Sequence, residues 1–282
     1  MIEYIKMFVI SLVSGVMMPL PVSSAAHASF LNKVMNYTSD GAILSFYYSV
    51  FSVAFSLVIF FNLRKIYSKI FRSFTSKGKG ENGAAAYRKA GKNVLLSLVP
   101  AVFLYIPVSK DMLIVDYFDK FLSSSNLLLT AFASLISAFV FVTAIWYTKQ
   151  GSNPTLRGAT TKTVIRSAIY ELVAFVVPGT SKIAIGSVNM LLCDIEPKIL
   201  MREVYLYTAP SVFVISVIKI IRGLIVDLVV NPLAIIIGAV VSIAATAVIV
   251  NFVSKVNMRK LFGFFAWYSV IFALAAFIMS LI

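Results

Sequence analysis

The sequence predicts an all-α integral membrane protein built from two halves of similar layout. Of its 282 residues, 60% are hydrophobic and 13% are charged, whereas a soluble domain has about twice that charged fraction. The apolar runs are continuous and of helix length, while the strands of a membrane barrel would alternate in hydrophobicity. Each half begins with an apolar segment that proline interrupts. Together these observations predict an inverted repeat, each half being a re-entrant broken-helix hairpin plus three transmembrane helices.

The first half, residues 1–148, begins with a helix–break–helix segment. We predict a re-entrant hairpin over residues 4–37, because Pro19 and Pro21 interrupt its apolar run. A signal peptide is the alternative interpretation, but the similar broken segment in the second half favours a segment that is retained. The predicted spans are 41–63, 93–108 and 124–148, with a basic cytoplasmic loop at 64–92 and an interfacial helix at 109–122.

The second half, residues 149–282, repeats this layout. Its predicted re-entrant hairpin is 163–193, and its predicted spans are 203–225, 230–252 and 261–281. Because each half has an odd number of spans, the second copy is expected to enter the membrane from the opposite face. Such inverted repeats place their binding site near the membrane midplane, where the two copies meet.

The net charge of +14 indicates contact with the membrane rather than with nucleic acid, because the basic residues lie beside the predicted spans. Nine of them lie in 64–92 with Glu81 as the only acidic residue there, which is the positive-inside pattern of a cytoplasmic loop. Anionic lipid headgroups are their expected contact. Lys219 and Arg222 depart from the rule, because they lie near the outer end of a predicted span. The nine residues are Arg64, Lys65, Lys69, Arg72, Lys77, Lys79, Arg88, Lys89 and Lys92.

One cysteine and one histidine limit the chemistry. Cys193 alone excludes an internal disulfide and a cysteine metal cluster. His27 alone excludes the common multi-histidine metal sites. Hydroxyl, carboxylate and basic side chains therefore remain as the main candidates for a site.

Polar residues suited to binding an anion follow both breaks. The first break is followed by Ser23, Ser24 and His27, and the second lies in Val177-Pro178-Gly179-Thr180-Ser181-Lys182. A broken helix also leaves free N–H groups and a positive dipole at the start of its second part, so a phosphate or diphosphate is the expected ligand. Each of these features, taken by itself, also has a purely structural interpretation. Prolines also simply kink transmembrane helices, with Ser and Thr satisfying the freed carbonyls, and a lysine can snorkel to the interface.

The motif Pro21-Val22-Ser23-Ser24-Ala25-Ala26-His27 resembles the Pro-Val-Ser-Ser-x-x-His motif of the undecaprenyl-diphosphate phosphatases, the UppP/BacA family. Pro178-Gly179-Thr180-Ser181-Lys182 is similar to that family's Pro-Gly-x-Ser-Arg-Ser-Gly motif, and Ala209-Pro210 falls where the family has a proline in the following span. The resemblance covers essentially the whole chain. It implies a bacterial inner-membrane enzyme that removes one phosphate from the C55 lipid diphosphate carrier of cell-wall synthesis. It also implies a site facing the periplasm and dependence on Mg or Ca ions.

The resemblance implies roles for the motif residues. Ser24 or Ser23 would attack the terminal phosphate, or water would do so with His27 as base. The implied partners are undecaprenyl phosphate or diphosphate and membrane lipids, with a homodimer left open. The alternative function is that of a non-catalytic relative that binds or flips undecaprenyl phosphate across the membrane, because inverted repeats with a midplane anion site are also transporter architecture. The implied phosphate-binding residues are Ser23, Ser24, Gly179, Thr180, Ser181 and Lys182.

The chain departs from the family motifs at several positions. Ser14 and Met18 stand where the family has two glutamates, which would hold a hard divalent cation or position the nucleophile. Lys182 stands at the family arginine and lacks its bidentate fork, and Ile183-Ala184 replaces Ser-Gly. The loss of both glutamates argues against a bound Mg or Ca ion and favours the non-catalytic alternative.

Glu171 is a candidate to compensate for the lost carboxylates. It lies seven residues before Pro178, as Ser14 lies seven before Pro21. Carboxylates inside membrane segments are functional candidates, so Glu171 is expected to orient His27 or bind a metal. With equal weight, Glu171 instead forms a structural pair with Lys182 or Arg166.

Overall fold

The computed structural model of the protein describes residues 2–75, 83–110, 112–116, 126–149, 156–177 and 179–282. These residues form twelve helices and one short antiparallel hairpin of two strands, β1 (Pro107–Ser109) and β2 (Met112–Leu113). The helices are α1 (Ile2–Met17), α2 (Ser24–Met35), α3 (Gly41–Asn62), α4 (Arg64–Phe74), α5 (Ala84–Leu96), α6 (Val99–Leu104), α7 (Leu127–Lys149), α8 (Thr161–Val176), α9 (Lys182–Leu192), α10 (Leu200–Ile225), α11 (Pro232–Val253) and α12 (Met258–Leu281).

Five of the described helices, α3, α7, α10, α11 and α12, are long and apolar enough to cross a membrane. Large apolar side chains also cover the outside of the molecule; Trp267, for example, is 72% exposed. Such a surface suits lipid, which is as apolar as the side chains themselves. The chain is therefore an all-α integral membrane protein that crosses the membrane several times.

Both broken segments are built in the same way. Ser23 has an extended backbone and caps α2, its hydroxyl accepting a hydrogen bond from the amide of Ala26 at 3.3 Å. Ser181 caps α9 in the same manner, accepting from the amide of Ala184 at 3.2 Å. A capping serine satisfies one of the free N–H groups of the first turn. In each broken segment, the capping serine therefore fixes where the second helix begins.

The predicted span 93–108 is not a single helix. The helix α5 ends at Leu96, and α6 restarts at Val99 with Pro100 in its first turn. A proline within a helix loses one hydrogen bond and clashes with the carbonyl four residues earlier, which here belongs to Leu96. The β1–β2 hairpin follows α6, so Ser109 and Met112–Leu113 lie in strands where an interfacial helix was expected, whereas residues 114–116 are helical as expected. Residues 117–122 lie outside the described ranges.

The basic stretch 64–92, predicted as a loop, is helical on both sides of the undescribed residues 76–82. The helices α4 and α5 pack closely at Gly91, where an added Cβ would lie 2.4 Å from the Phe74 ring and 2.9 Å from Ile70. Arg88 also donates a hydrogen bond to the Ser73 carbonyl at 2.7 Å. Seven of the nine basic residues are thus carried by a helical pair beside the end of α3, while Lys77 and Lys79 lie outside the described ranges.

The two halves pack against each other through their long helices. The helix α3 contacts α10, α7 contacts α12, and α1 contacts α11. Their common core contains large side chains that are fully buried, among them Phe51, Phe55 and Met190. The broken segments enter this core beside α3 and α10, which brings the two breaks to the same part of the molecule.

Candidate functional site

A cavity of about 580 Å³ lies between the two broken segments and the helices α3 and α10. Its polar wall includes hydroxyls of α3 and α10 as well as residues of both breaks, and its apolar wall includes Phe46, Phe55 and Ile215. The residues of the breaks and the adjoining helix starts that line it are Val22, Ser23, Ser24, Val177, Gly179, Thr180, Ser181, Lys182 and Ile183. All six residues expected to bind phosphate therefore lie on one cavity.

Ser24 presents its hydroxyl to this cavity together with a tyrosine of α3. The Oγ of Ser24 and the Oη of Tyr48 are 2.7 Å apart, and both residues line the cavity. The hydroxyl of Ser23, in contrast, accepts the capping bond at the start of α2. The Ser24 hydroxyl is therefore oriented by Tyr48 of α3, whereas the Ser23 hydroxyl is oriented by its own helix.

The second break places Lys182 at the first position of α9. Its Nζ lies 4.4 Å from the centre of the Phe175 ring, and the residue lines the cavity. Thr180 donates its hydroxyl to the Val177 carbonyl at 2.7 Å, so this hydroxyl closes the turn. The cavity thereby receives an ammonium beside the N-terminus of a helix, an arrangement that favours a bound anion.

Gly179 fits the second break for two reasons. Its φ of +98° lies in the region that side-chain-bearing residues rarely adopt. A Cβ at this position would also lie 2.7 Å from the Thr130 carbonyl oxygen and 2.8 Å from the Ala133 Cβ, both of α7. The break therefore packs directly against the backbone of α7.

His27 does not line the cavity. It is 6% exposed, and its ring stacks on Phe272 of α12 with centroids 4.0 Å apart. The Nδ1 donates to the Ser23 carbonyl at 2.6 Å, because a carbonyl can only accept. The Nε2 of the neutral ring then accepts from the Tyr268 hydroxyl at 2.6 Å. Both nitrogens are occupied, so the expected role of His27 as a base that reaches the phosphate does not fit this geometry.

Glu171 also lies behind the cavity wall. Its carboxylate is 2% exposed and accepts hydrogen bonds from Thr208 at 2.6 Å and from Ser211 at 3.4 Å. Thr208 itself lines the cavity. The structure describes Lys182 and Arg166 but shows no ion pair from either to Glu171. Glu171 has no hydrogen bond to His27 and holds the hydroxyl of Thr208. The charges of Glu171 and Lys182 act on each other without a direct contact between the two side chains.

Three basic residues are among the described residues that line the cavity: Lys182, Lys219 and Arg222. No aspartate or glutamate is among the described lining residues. Arg222 forms a bidentate ion pair with Asp116 just beside the cavity, with N–O distances of 2.7 and 2.9 Å. Partial burial acts to raise the pKa of Asp116, but hydrogen bonds from Arg222 and the Leu113 amide, with the nearby positive charges, lower it. The ion pair is therefore charged at neutral pH.

Comparison with known proteins gives the same family along almost the whole chain. The model of the family described as "Bacitracin resistance protein BacA" matches residues 7–275. The chain belongs to the bacitracin resistance protein BacA family. Curated relatives are named undecaprenyl-diphosphatase. That of Vesicomyosocius okutanii is 26% identical over 253 residues, covering 89% of this chain and 90% of the relative. That of Lactobacillus delbrueckii is 22% identical over 298 aligned positions, covering 100% and 99%.

The cavity residues do not fit a divalent cation held by the protein, although the BacA-family resemblance implies Mg or Ca. Hard cations take several oxygen ligands, usually including carboxylates. Of the two positions at which the family has glutamates, Met18 lines the cavity, while Ser14 is fully buried outside it. Within the described ranges, no cluster of three acidic, histidine or cysteine residues is able to hold a metal.

Sequence reasoning missed the place of Tyr48, Lys219 and Arg222 in this BacA-family cavity. A signal for the two cations was present, because they contradict the positive-inside rule at the end of a span. A basic residue near an outer membrane end needs a partner, and Arg222 has one in Asp116 beside the cavity. Tyr48 gave no signal, because one tyrosine in an apolar helix does not differ from its neighbours.

Proposed function

We propose that this protein binds undecaprenyl diphosphate by its phosphates in the cavity and removes the terminal phosphate, and that it does so in the bacterial inner membrane. The observation that carries the proposal is the meeting of both breaks on one cavity, where hydroxyls, cations and two helix N-termini face the same space. The printed name of the relatives, undecaprenyl-diphosphatase, supports the choice of lipid. The apolar wall suits the first part of a polyprenyl chain.

In this proposal Ser24 is the candidate nucleophile, or positions the water that attacks. Attack by Ser24 breaks the anhydride P–O bond, releases undecaprenyl phosphate and leaves a phosphoserine, which water then hydrolyses to inorganic phosphate. Direct attack by water breaks the same bond and gives both products in one step. Lys182 and the amides at the start of α9 stabilise the charge that develops on the phosphate oxygens. His27 and Glu171 act through others: His27 fixes the Ser23 carbonyl at the start of α2, and Glu171 fixes the hydroxyl of Thr208.

A second candidate function is binding or flipping of undecaprenyl phosphate without hydrolysis. Two observations favour it: His27 faces α12 rather than the cavity, and the described cavity lining holds no carboxylate that would act as a general base. Such a protein would use the same cations and helix N-termini for the same lipid headgroup.

Phosphate release from undecaprenyl diphosphate by purified protein distinguishes the two functions. We expect release by the wild type, with and without Mg, and loss of release in Ser24→Ala while lipid binding persists. Saturable binding of undecaprenyl phosphate without any phosphate release would instead establish the non-catalytic function. Binding of neither lipid would contradict both.

A further inference from the structure

Glu171 is a buried carboxylate that lies one helix turn from the ammonium group of Lys182. A Cβ on Gly186 would lie 3.7 Å from its Oε1, and Gly186 follows Lys182 by four residues on α9. On α8, Phe175 follows Glu171 by four residues, and the Lys182 Nζ lies 4.4 Å from the centre of the Phe175 ring. Residues four apart on a helix are neighbours, with their Cβ atoms about 5–6 Å apart. Both helices therefore place Lys182 one turn from Glu171.

Thr208 connects this buried carboxylate with the cavity. Its hydroxyl donates to the Glu171 Oε1 at 2.6 Å, and Thr208 is a lining residue of the cavity. Ser211 contributes a second and longer hydrogen bond, at 3.4 Å. Because a hydroxyl both donates and accepts, Thr208 is able to pass a proton between water in the cavity and the carboxylate. Glu171 can therefore change its protonation state without reaching the cavity itself.

Among the described residues, Lys182 is the charged group that acts on Glu171. The helices α5, α6 and α9 pack against α8, but no described charged side chain of α5 or α6 acts on this carboxylate. Tyr105, the residue after α6, donates its hydroxyl to the Ile215 carbonyl at 3.1 Å. The charge of Lys219 acts on Lys182. The ionised form of Glu171 is therefore stabilised by two hydroxyls and by one cation a helix turn away.

An anion bound at Lys182 would change the balance of charge around Glu171. The ammonium group would then be shared between the anion and the carboxylate, and the two negative charges would repel each other in the protein interior. A buried carboxylate whose charge is insufficiently compensated takes up a proton. Because coupling between two binding events is reciprocal, protonation of Glu171 would strengthen anion binding as much as anion binding favours protonation.

We propose that Glu171 takes up one proton through Thr208 when an anionic headgroup binds at Lys182, so that the headgroup and the proton bind together. The inference rests on the proposed function, which places a lipid phosphate at Lys182. The proton passes from water in the cavity to a carboxylate oxygen of Glu171, and no bond to phosphorus is made or broken. Since a lower pH increases the protonated fraction, headgroup binding strengthens as the pH falls. Glu171 acts through Lys182 and does not contact the phosphate.

The test measures binding of radiolabelled inorganic sulfate to the full-length protein in nanodiscs across the neutral pH range. Sulfate is the probe because it stays doubly charged there, whereas a phosphate monoester itself gains a proton in this range. Uptake of one proton per anion lowers the sulfate dissociation constant by up to about tenfold for each unit of falling pH. Glu171→Gln resembles the protonated carboxyl group. We expect it to lose most of this pH dependence and to bind sulfate more tightly than the wild type at the alkaline end.

Glu203→Gln is the matched control. Glu203 is a second buried glutamate, and it accepts from the Ala159 amide at 3.0 Å. It is not among the described residues that line the cavity, so its substitution should keep the pH dependence of the wild type. Thr208→Val keeps the carboxylate of Glu171 but removes its nearest donor, which favours the protonated form. We therefore expect Thr208→Val to bind sulfate more tightly than the wild type at the alkaline end.

Proton uptake by the wild type provides a measurement that needs no variant. A pH-sensitive dye in a weakly buffered sample should report up to one proton taken up for each sulfate bound. Sulfate binding without proton uptake and without pH dependence would overturn the inference. Equal pH dependence in the wild type and in Glu171→Gln would assign the proton to another group and overturn it as well.

Binding of undecaprenyl phosphate and undecaprenyl diphosphate, measured in parallel, separates this inference from the function on which it rests. If the wild type binds a lipid but its sulfate binding is independent of pH, the coupling is wrong and the proposed function stands. If sulfate binds together with a proton but neither lipid binds, the proposed function fails and the coupling of anion and proton stands. If the wild type binds neither sulfate nor lipid, both fail.

Discussion

Serines in similar motif positions have different tasks in this protein, and the tasks follow from backbone position. Ser23 and Ser181 cap the second helices of the two breaks, which their sequence context predicts. Ser24 is the first residue of α2, and its hydroxyl contacts the hydroxyl of Tyr48. The identity of the capping serines was within reach of the sequence, whereas the partner of Ser24 lies 24 residues away on another helix and was not.

Tyr48→Phe tests whether the Ser24 hydroxyl must be oriented. The substitution removes the 2.7 Å hydrogen bond and keeps the ring, so we expect phosphate release to fall about tenfold, close to the upper end for one neutral hydrogen bond. Lipid binding should change less than threefold. The matched control is Tyr47→Phe, which removes the bond from the Asn231 amide at 3.2 Å outside the described cavity lining. Equal effects of the two substitutions on release would contradict an orienting role.

The position of His27 shows where motif reasoning fails. A spacing of three residues on a helix turns the side chain by about 60° relative to Ser24, because each residue turns about 100°. That angle is enough for Ser24 to face the cavity while His27 faces α12. Whether the residues of a motif face the same cavity depends on which helices pack around them. The spacing of the motif does not reveal those neighbouring helices.

His27→Ala and Tyr268→Phe distinguish a structural histidine from a catalytic base. Each breaks the 2.6 Å bond between the two side chains, and His27→Ala also removes the ring donor of the buried Ser23 carbonyl, which then keeps the bond from the residue 27 amide at 3.2 Å. We expect His27→Ala to lower the free energy of unfolding by about 1–3 kcal/mol, measured by thermal unfolding in detergent, and Tyr268→Phe to have a smaller effect in the same direction. A His27→Ala protein with unchanged stability and no phosphate release would instead identify a base.

At the scale of elements, the second break depends on a glycine that the motif alone only partly explains. The turn needs a positive φ at Gly179, which glycine adopts without a steric cost. The motif could indicate this requirement, but the close approach of α7 could not be predicted. It arises because α7, from the end of the first half, packs against the start of α9.

Gly179→Ala should therefore destabilise the protein. The added methyl would meet the Thr130 carbonyl at 2.7 Å in a strained backbone conformation, so we expect a loss of about 1–3 kcal/mol, seen as a lower unfolding temperature. Gly263→Ala provides the comparison, since Gly263 lies within α12 and a Cβ there meets no atom within 4 Å. That substitution should leave stability unchanged or raise it by up to about 1 kcal/mol. Equal stability of both variants would contradict the close packing of the break against α7.

The helix boundaries show which local signals decide between a span and a break. Continuous apolarity predicted a span over 93–108, yet Pro100 divides it. The stretch 64–92 was predicted as a loop from its charges and glycines, although Ile66, Ile70 and Phe74 recur at the helical spacing of four and support α4. Average composition predicted the membrane location correctly, while the exact elements depend on single prolines and on periodicity.

At the scale of the whole molecule, the contacts between helices are those expected if the protein consists of two similar halves that can be exchanged. The helix α3 packs on α10 and α7 packs on α12, each pair joining counterparts of the two halves. The contact of α1 with α11 has its counterpart in the contacts of α8 with α5 and α6. An inverted repeat predicts this set of contacts, because exchanging the halves maps each pair onto itself or onto another pair.

The two hairpins also open toward opposite ends of α10. The start of α1 meets the chain just after α10, where Tyr4 and Asn231 are hydrogen-bonded at 3.2 Å. The chain just before α8 meets the first turn of α10, where Glu203 accepts from the Ala159 amide at 3.0 Å. Because α10 is 26 residues long, it spans the roughly 30 Å hydrocarbon thickness of a bilayer. We therefore predict that the starts of α1 and α8 lie at opposite membrane faces.

Labelling of single cysteines tests this opposite orientation, and the inverted repeat stays a prediction until it is done. Cys193 is the only native cysteine, so Cys193→Ser provides the background for Glu3→Cys and Lys162→Cys, both at exposed positions near the starts of α1 and α8. Since basic α4 and α5 lie at the same end as the start of α8, the positive-inside rule makes that end cytoplasmic. We expect a membrane-impermeant maleimide to label position 3 in intact cells and position 162 only after permeabilisation. Labelling of both positions from the same side would exclude an inverted repeat, because its two copies must enter the membrane from opposite faces.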